Sequence, residues 1–248
     1  MMRISFLNIQ IDNLTMQEAL DEIRSIIESG SPGYVVTPNV DHIIKIENDN
    51  DFRQVYQNAD LVLTDGKPLI WISRLMGTPI KEKISGSDLF PELCQMAAQK
   101  GYKIFLLGAA DGIAVKAAEN MKTLYQGIQI AGTYSPPFGF EQNIEEINKV
   151  IKKVQDTKPD ILVVGLGAPK QEKFIYNYLE QLNVPVSLGL GASIDFMAGN
   201  IRRAPKWMSE LGLEWFYRFL KEPRRLFKRY FIDDFKIFIL VWKYRKST

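Results

Sequence analysis

The feature that most constrains the fold is a repeated alternation, through residue 198, of short β-branched apolar runs with longer segments of helical periodicity. This alternation is typical of βαβ units, in which helices connect parallel strands. We therefore predict an α/β fold with a mainly parallel sheet and flanking helices. The predicted strands are a first strand or hairpin at 4–11 and runs at 34–37, 61–64, 102–108, 128–134, 160–167 and 186–191.

The composition changes near residue 199. Residues 200–248 hold 13 Lys and Arg against 5 Asp and Glu, a net charge of +8, whereas residues 1–199 carry −6. The same segment holds 12 of the 28 aromatic residues, and its Pro205 and Pro223 are natural first residues of helices. We predict two domains: an α/β core at 1–198 and a helical, basic and aromatic appendage at 199–248.

The appendage has a composition that suits nucleic acid, an anionic membrane surface or a phosphorylated ligand, and composition alone does not choose among them. Its residues Leu226, Tyr230, Ile237, Leu240 and Val241 suggest an apolar face on a basic helix, which suits a membrane interface. The alternative is that this face packs on the chain's own core or on a second copy in a homo-oligomer.

The small number of cysteines and histidines, and the lack of a signal peptide or a membrane span in the sequence, limit which classes of protein this chain fits. The only cysteine, Cys94, excludes an internal disulfide framework and is interpreted as a core residue. With one cysteine and one histidine we expect no metal and no cofactor, and we interpret the acidic run at 49–51 as helix capping. The sequence shows neither a secretory signal nor an apolar run near the ~18 residues of a membrane span, which fits a cytoplasmic protein.

Polar residues follow several predicted strands at their carboxyl ends, where open parallel sheets bind ligands. Thr37, Asn39 and Asp41 lie at the end of the strand at 34–37, and Asp65 and Gly66 follow the strand at 61–64. The residues that follow the last two strands are Ala168, Pro169, Lys170, Gln171, Ala192, Ser193 and Asp195.

The run GLGAPKQ at 165–171 predicts a turn that can hold a phosphate or diphosphate. Gly165 and Gly167 let backbone N–H groups approach a ligand, and Pro169 can begin a helix that faces it. Because Lys170 replaces the third glycine of the dinucleotide fingerprint, an NAD-dependent oxidoreductase is disfavoured. The alternative is a tight turn without a ligand, which is also our interpretation of GAADG at 108–112.

A departing diphosphate would need cationic groups to stabilise it. Arg218 and Arg225 are seven residues apart, so they share a helix face only if the helix continues through Pro223; a break there could bring both to one site. The cations available in the appendage are Arg202, Arg203, Arg218, Arg224, Arg225, Lys228 and Arg229.

The sequence resembles the WecG/TagA/CpsF glycosyltransferases of bacterial surface-polysaccharide synthesis. The matching blocks keep the family's order and cover nearly the whole chain. They are TPNVDH at 37–42, ADLVLTDGKPLIW at 59–71, SGSDLF at 85–90, GLGAPKQE at 165–172 and the long run GASIDFMAGNIRRAPKWMSELGLEWFYRFLKEPRR at 191–225.

This resemblance implies a Rossmann-like core and a metal-independent, inverting transfer of a sugar from a UDP-sugar. The implied acceptor is a polyprenyl-diphosphate-linked sugar, such as N-acetylglucosamine, and the implied location is the cytoplasmic face of the membrane, with the enzyme bound peripherally. Our best prediction for the transferred sugar is N-acetylmannosamine, as in teichoic-acid synthesis; the alternatives are mannosaminuronic acid and glucose.

The resemblance also implies roles for individual residues. Asp65 is the expected catalytic base, and Lys83 replaces a common arginine of the family, which keeps the charge but loses its planar fork. The other expected substrate-binding residues are Thr37, Asn39, Gly66, Gly167, Lys170, Gln171, Gly191, Arg202, Arg203, Arg218 and Arg225. A nucleotide-sugar-binding protein that docks on membranes without catalysis is the alternative from another class, and we expect no nucleic-acid partner.

Overall fold

The structure, a computed structural model, describes residues 3–245 and, within that range, every side chain except those of Lys206, Glu210 and Arg225. Two short strands, β1 (Arg3–Phe6) and β2 (Ile9–Asp12), form an antiparallel hairpin. The central strands are β3 (Gly33–Val36), β4 (Leu61–Val62), β5 (Lys103–Gly108), β6 (Gln129–Tyr134), β7 (Ile161–Gly165) and β8 (Val186–Gly189). They form a six-stranded sheet in the order β4-β3-β8-β7-β5-β6, with every neighbouring pair parallel.

Helices flank this sheet, so the predicted α/β, Rossmann-like fold is confirmed. Thr15 and Glu18 form the capping box that the sequence suggests: Glu18 N donates to Thr15 Oγ1 at 3.3 Å, and Thr15 N donates to Glu18 Oε2 at 2.7 Å. The helices of the core are α1 (Met16–Ser29), α2 (Val40–Asn48), α3 (Asn50–Gln57), α4 (Lys67–Leu75), α5 (Gly86–Lys100), α6 (Ile113–Leu124), α7 (Ile144–Thr157), α8 (Lys170–Leu182) and α9 (Ser193–Met197).

Alternating strand residues build an apolar core on each face of the sheet. Val36 and Val164 contribute to one cluster, and Val35 and Val163 contribute to the other. Cys94 is fully buried in the second cluster, which confirms its interpretation as a core residue. The strand predicted at 61–64 is shorter in the structure because the chain leaves the ladder after Leu63 and Thr64 O accepts from Ile84 N instead.

The acidic run at 49–51 caps and begins a helix, as the capping interpretation predicts: Asp49 lies between α2 and α3, and Asp51 lies in the first turn of α3. Asp49 precedes α3, and its Oδ1 accepts a hydrogen bond from Phe52 N at 2.9 Å. Its Oδ2 lies 2.8 Å from Lys173 Nζ on α8. Both carboxylate oxygens of Asp49 are therefore occupied by protein groups.

After α9 the described chain contains helices and no strand. Pro205 immediately precedes α10 (Lys206–Glu210), and Pro223 is the first residue of α12 (Pro223–Lys228), as the sequence suggests. Between them lies α11 (Glu214–Lys221), so the helix does break before Pro223. A π-helical turn (Arg229–Asp233), a 3₁₀ turn (Asp234–Lys236) and α13 (Ile237–Arg245) complete the described part. A domain boundary at residue 198 stays a prediction.

The prediction that Leu226, Tyr230, Ile237, Leu240 and Val241 form an exposed apolar face for the membrane is wrong. Leu226, Ile237, Leu240 and Val241 are buried, and the last three belong to a core cluster, because α13 packs on α2. Tyr230 is half-buried and lines a cleft. We call residues 223–245 the final helical region; its exposed apolar side chains are Phe227, Phe231, Ile232, Phe235, Phe238, Ile239 and Trp242. Within residues 3–245, no helix has the length and apolar character needed to cross a bilayer.

Candidate active site

One cleft, a cavity of about 830 Å³, opens along the carboxyl edge of the sheet and is closed on one side by the appendage. The loops after β3, β4, β7 and β8 supply one part of its wall, and α11 with the π-helical turn supplies another. Nine of the expected site residues meet there: Thr37, Asn39, Asp65, Gly66, Lys83, Gly167, Gln171, Gly191 and Arg218.

Asp65 is brought to Thr37 and Asn39 by the pairing of their strands. The strands β3 and β4 are parallel neighbours with Val36 opposite Val62, so both strands end at the same edge of the sheet. Beyond the ladder, Asp65 N donates a hydrogen bond to Pro38 O at 2.9 Å. The two loops that carry the expected base and the expected substrate-binding residues Thr37 and Asn39 are therefore tied together through the backbone.

The half-buried carboxyl of Asp65 has the character of a general base. Burial raises its pKa to about 6; Lys83 and Arg218 oppose this rise, and Glu214 and Asp88 add to it. A carboxyl with such a pKa is largely ionised near neutral pH and is a stronger base than an exposed aspartate. Glu214 and Arg218 both lie on α11, so the appendage contributes one charge of each sign to the surroundings of Asp65.

Lys83 and Arg203 meet at one carboxylate beside the cleft. Lys83 Nζ lies 2.6 Å from Asp88 Oδ2, and Arg203 Nη2 donates to Asp88 Oδ1 at 2.6 Å. Burial opposes ionisation of Asp88, but hydrogen bonds from Arg203, Lys83 and Ser85 bring its pKa down to about 2. Arg203 thereby connects the start of the appendage to α5, while Lys83 also lines the cleft.

The glycines of GLGAPKQ are required by geometry. Gly167 has a φ of 78°, in the left-handed region that favours glycine. A Cβ on Gly165 would lie 2.9 Å from Gly191 O, so the ends of β7 and β8 could not approach as they do. The peptide between Ala168 and Pro169 is cis, and α8 begins directly after it, as the sequence suggests.

Gln171 holds these two glycine loops together. Its Oε1 accepts hydrogen bonds from Gly167 N and Gly191 N, both at 3.1 Å, and its Nε2 donates to Glu172 Oε1 at 2.8 Å. Gln171 and Glu172 are both buried, and burial raises the pKa of Glu172 to about 7. The amide of Gln171 is thus engaged by the protein, and its contribution to the cleft is to fix the two loops.

The appendage contacts the core at two further places. A Cβ on Gly212 would lie 2.9 Å from Trp71 Cη2, which shows how closely the chain before α11 packs on α4. Arg229 Nη2 lies 3.4 Å from Asn39 Oδ1 and 3.7 Å from Asp41 Oδ2, at the start of α2. The appendage therefore forms a wall of the cleft.

Three expected residues lie outside the cleft wall. Lys170 Nζ forms an ion pair with Glu141 and lies 4.8 Å from the ring centroid of Phe138, and Arg203 binds Asp88. Arg202 is exposed. The side chain of Arg225 lies outside the described part of the structure, so its role stays a prediction.

Several cleft residues were not predicted from the sequence, and only Glu214 has a spacing that marks it. Glu214 lies four residues before Arg218, the spacing that places both on one helix face, and this spacing could have found it. The other polar wall residues that were not predicted as site residues are His42, Lys45, Lys67, Ser87, Ser209, Glu222, Tyr230, Asp233 and Asp234.

Comparison with known proteins identifies the family of the chain. The model of the Glycosyl transferase WecG/TagA/CpsF family matches residues 4–248. The chain belongs to this family. It is therefore a glycosyltransferase of the hexosyltransferase class, and the oxidoreductase and the non-catalytic binder are set aside.

Curated relatives carry one shared name, N-acetylglucosaminyldiphosphoundecaprenol N-acetyl-beta-D-mannosaminyltransferase. The relative from Bacillus subtilis (strain 168) is 32% identical over 242 residues, which cover 97% of this chain and 92% of the relative. The relative from Bacillus spizizenii is 34% identical over 199 residues, 80% of this chain and 75% of the relative. One from Staphylococcus aureus (strain MW2) is 27% identical over 226 residues, 90% and 87% of the two chains.

Proposed function

We propose that this glycosyltransferase moves N-acetylmannosamine, with inversion, from its UDP-sugar to a polyprenyl-diphosphate-linked N-acetylglucosamine. The observation that carries the proposal is the half-buried carboxyl of Asp65, in a cleft that also contains the cations Lys83 and Arg218. The name shared by the relatives supports the sugar and the acceptor. Synthesis of teichoic acid or of another surface polysaccharide is the corresponding process.

The proposed reaction is one displacement. The acceptor hydroxyl attacks the anomeric carbon of the donor, its proton passes to the Asp65 carboxylate, and the bond from that carbon to the UDP oxygen breaks. Because attack and departure occur on opposite faces of the sugar, the configuration inverts. An α-linked donor then gives a β-linked product, in agreement with the relatives' name.

Negative charge grows on the departing UDP. Arg218 from the appendage and Lys83 from the core both act on the electrostatics of the cleft, and they can offset this charge. We propose that these groups make a metal ion unnecessary for the transfer.

A donor panel tests the function. Purified enzyme and a synthetic prenyl-diphosphate-linked N-acetylglucosamine are mixed with UDP-N-acetylmannosamine, UDP-mannosaminuronic acid or UDP-glucose, and UDP release is measured with and without EDTA. We expect UDP-N-acetylmannosamine to react fastest, with a rate unaffected by EDTA and a β-linked product by NMR. Faster transfer from another donor would reassign the sugar, and loss of activity in EDTA would reject the metal-independent transfer.

We further propose that the enzyme binds the cytoplasmic membrane surface peripherally through its final helical region. Phe235 and Phe238 are 59% and 63% exposed, and α13, which contains Phe238, carries Lys243 and Arg245 in its last turn. Exposed aromatic side chains beside basic ones suit the headgroup region of an anionic bilayer. A homo-oligomer of the enzyme stays a prediction.

Replacing Phe238 with Glu should weaken co-sedimentation with anionic liposomes by roughly 10- to 150-fold, because burial of a phenyl ring contributes about 1.5–3 kcal/mol. The matched control is Phe138→Glu, since Phe138 is 101% exposed on the core. Equal binding by both variants would reject this membrane surface.

A further inference from the structure

His42, the only histidine of the chain, lies in the wall of the cleft. It is in the first turn of α2, where its backbone N–H lies 3.4 Å from Asn39 Oδ1, the cap of that helix. The ring is 6% exposed and packs edge-on against Phe52 and Tyr56, with centroids 5.9 and 6.2 Å away. His42 therefore has a fixed ring position beside Asn39, an expected substrate-binding residue.

Tyr56 determines which ring nitrogen of His42 carries the proton. The Tyr56 hydroxyl lies 2.8 Å from His42 Nδ1, and Tyr56 is 2% exposed. No other described group bonds that hydroxyl, so its hydrogen has only Nδ1 to receive it, and leaving a buried O–H unpaired would cost about 1–3 kcal/mol. Nδ1 is thus the acceptor, and in the neutral ring the proton must be on Nε2.

The ring stays neutral in this position. Burial lowers the pKa of His42 to about 3; Asp41 opposes this effect, and Arg229 and Lys45 add to it. Burial also keeps the pKa of Tyr56 well above its usual range, so the tyrosine remains a donor. A neutral Nε2–H is a fixed donor whose state does not change across the physiological pH range.

Nε2–H has no hydrogen-bond partner among the described residues, although His42 lines the cleft. A diphosphate is best bound by a charged imidazolium, and the His42 ring resists the second proton that this would require. Lys83 and Arg218 already offer positive charge for the diphosphate. An uncharged oxygen, a hydroxyl or an amide carbonyl, is the matching acceptor.

We propose that His42 is a specificity-determining residue that donates a hydrogen bond from Nε2–H to an uncharged oxygen of the transferred sugar. Tyr56 is the positioning residue that keeps the ring in the required tautomer. This inference rests on the proposed function, since it names a contact with the sugar part of the donor.

NMR of the enzyme labelled with ¹⁵N in histidine tests the inference, because one histidine gives one ring signal set. We expect the neutral Nε2–H pattern at neutral pH, a shift of Nε2 on addition of UDP-N-acetylmannosamine, and no shift with UDP alone. A neutral Nδ1–H pattern, no response to the UDP-sugar, or an equal response to UDP would each overturn the inference. The readout needs no turnover, so it is independent of whether the proposed transfer occurs.

Two substitutions give a kinetic test. His42→Met should raise the KM for UDP-N-acetylmannosamine roughly 2- to 12-fold, the range for one neutral hydrogen bond, and leave the inhibition constant of UDP unchanged. His42→Gln should recover part of the loss, since its amide nitrogen can take the place of Nε2. If His42→Met weakens UDP as much as UDP-sugar, His42 serves only the shape of the cleft.

Tyr56→Phe separates positioning from packing. The variant keeps the ring but removes the hydroxyl that bonds Nδ1. We expect a mixture of both neutral tautomers in the ¹⁵N spectrum, with a higher KM for the UDP-sugar and an unchanged inhibition constant for UDP. An unaltered Nε2–H pattern in this variant would show that Tyr56 does not position the ring.

Discussion

Asp65→Asn should lower the rate of sugar transfer by roughly 10²- to 10⁴-fold while the UDP-sugar binds nearly as in the wild type. Asparagine has the size of aspartate but cannot accept the proton that the acceptor hydroxyl loses. The backbone bond from residue 65 to Pro38 O does not involve the side chain, so the loops should keep their arrangement. Single-turnover rates and UDP-sugar titrations measure the two effects separately.

The matched control is Asp51→Asn, because Asp51 is exposed in the first turn of α3, away from the cleft wall. This variant should keep wild-type kinetics. If Asp65→Asn transferred sugar at a near wild-type rate, the assignment of the base would be wrong. If it failed to bind the UDP-sugar, Asp65 would be a donor-binding residue instead.

The pH dependence of kcat/KM gives a second view of the same carboxyl. A base works only when deprotonated, so activity should rise with pH through an apparent pKa near the value of about 6 that burial gives Asp65. Glu214 raises this pKa and Lys83 lowers it. Glu214→Gln should therefore move the acid limb to lower pH and Lys83→Met to higher pH. Shifts of the same sign would mean that another group sets the limb.

The sequence was sufficient for the sheet and for the edge where the cleft lies. The β-branched apolar runs predict every strand of the sheet, and the rule that ligands bind at the carboxyl ends of strands predicts Thr37, Asp65 and Gln171 at the cleft. These inferences succeed because each depends on residues that are close in the chain: a strand, its following turn and the next helix cap.

Contacts between distant segments could not be read from the sequence. The apolar face chosen for the membrane packs on the core, because α13 is apolar on more than one side and periodicity does not say which side meets α2. Lys170 stands in the expected turn, yet it pairs with Glu141, which lies 29 positions earlier. The tautomer of His42 likewise depends on Tyr56 on a different helix.

Arg218→Met should lower kcat by roughly 10²- to 10³-fold, the range for removing one group that stabilises charge developing in a transition state. Arg218 lies on α11 and lines the cleft beside Asp65. Arg218→Lys should retain part of the activity, since lysine keeps the charge and loses the planar fork that suits a diphosphate. Steady-state kinetics with a short-chain, soluble acceptor removes any contribution from membrane binding.

Arg218 also lowers the pKa of Asp65, so its removal should push the acid limb of the pH profile upward as well. The two effects separate at alkaline pH, where Asp65 is ionised in every variant and the remaining loss of kcat reports on the departing diphosphate alone. Lys221→Met is the control, because Lys221 is an exposed cation on the same helix and does not line the cleft. Full activity of Arg218→Met on the alkaline plateau, or an equal loss in Lys221→Met, would show that Arg218 does not stabilise the leaving group.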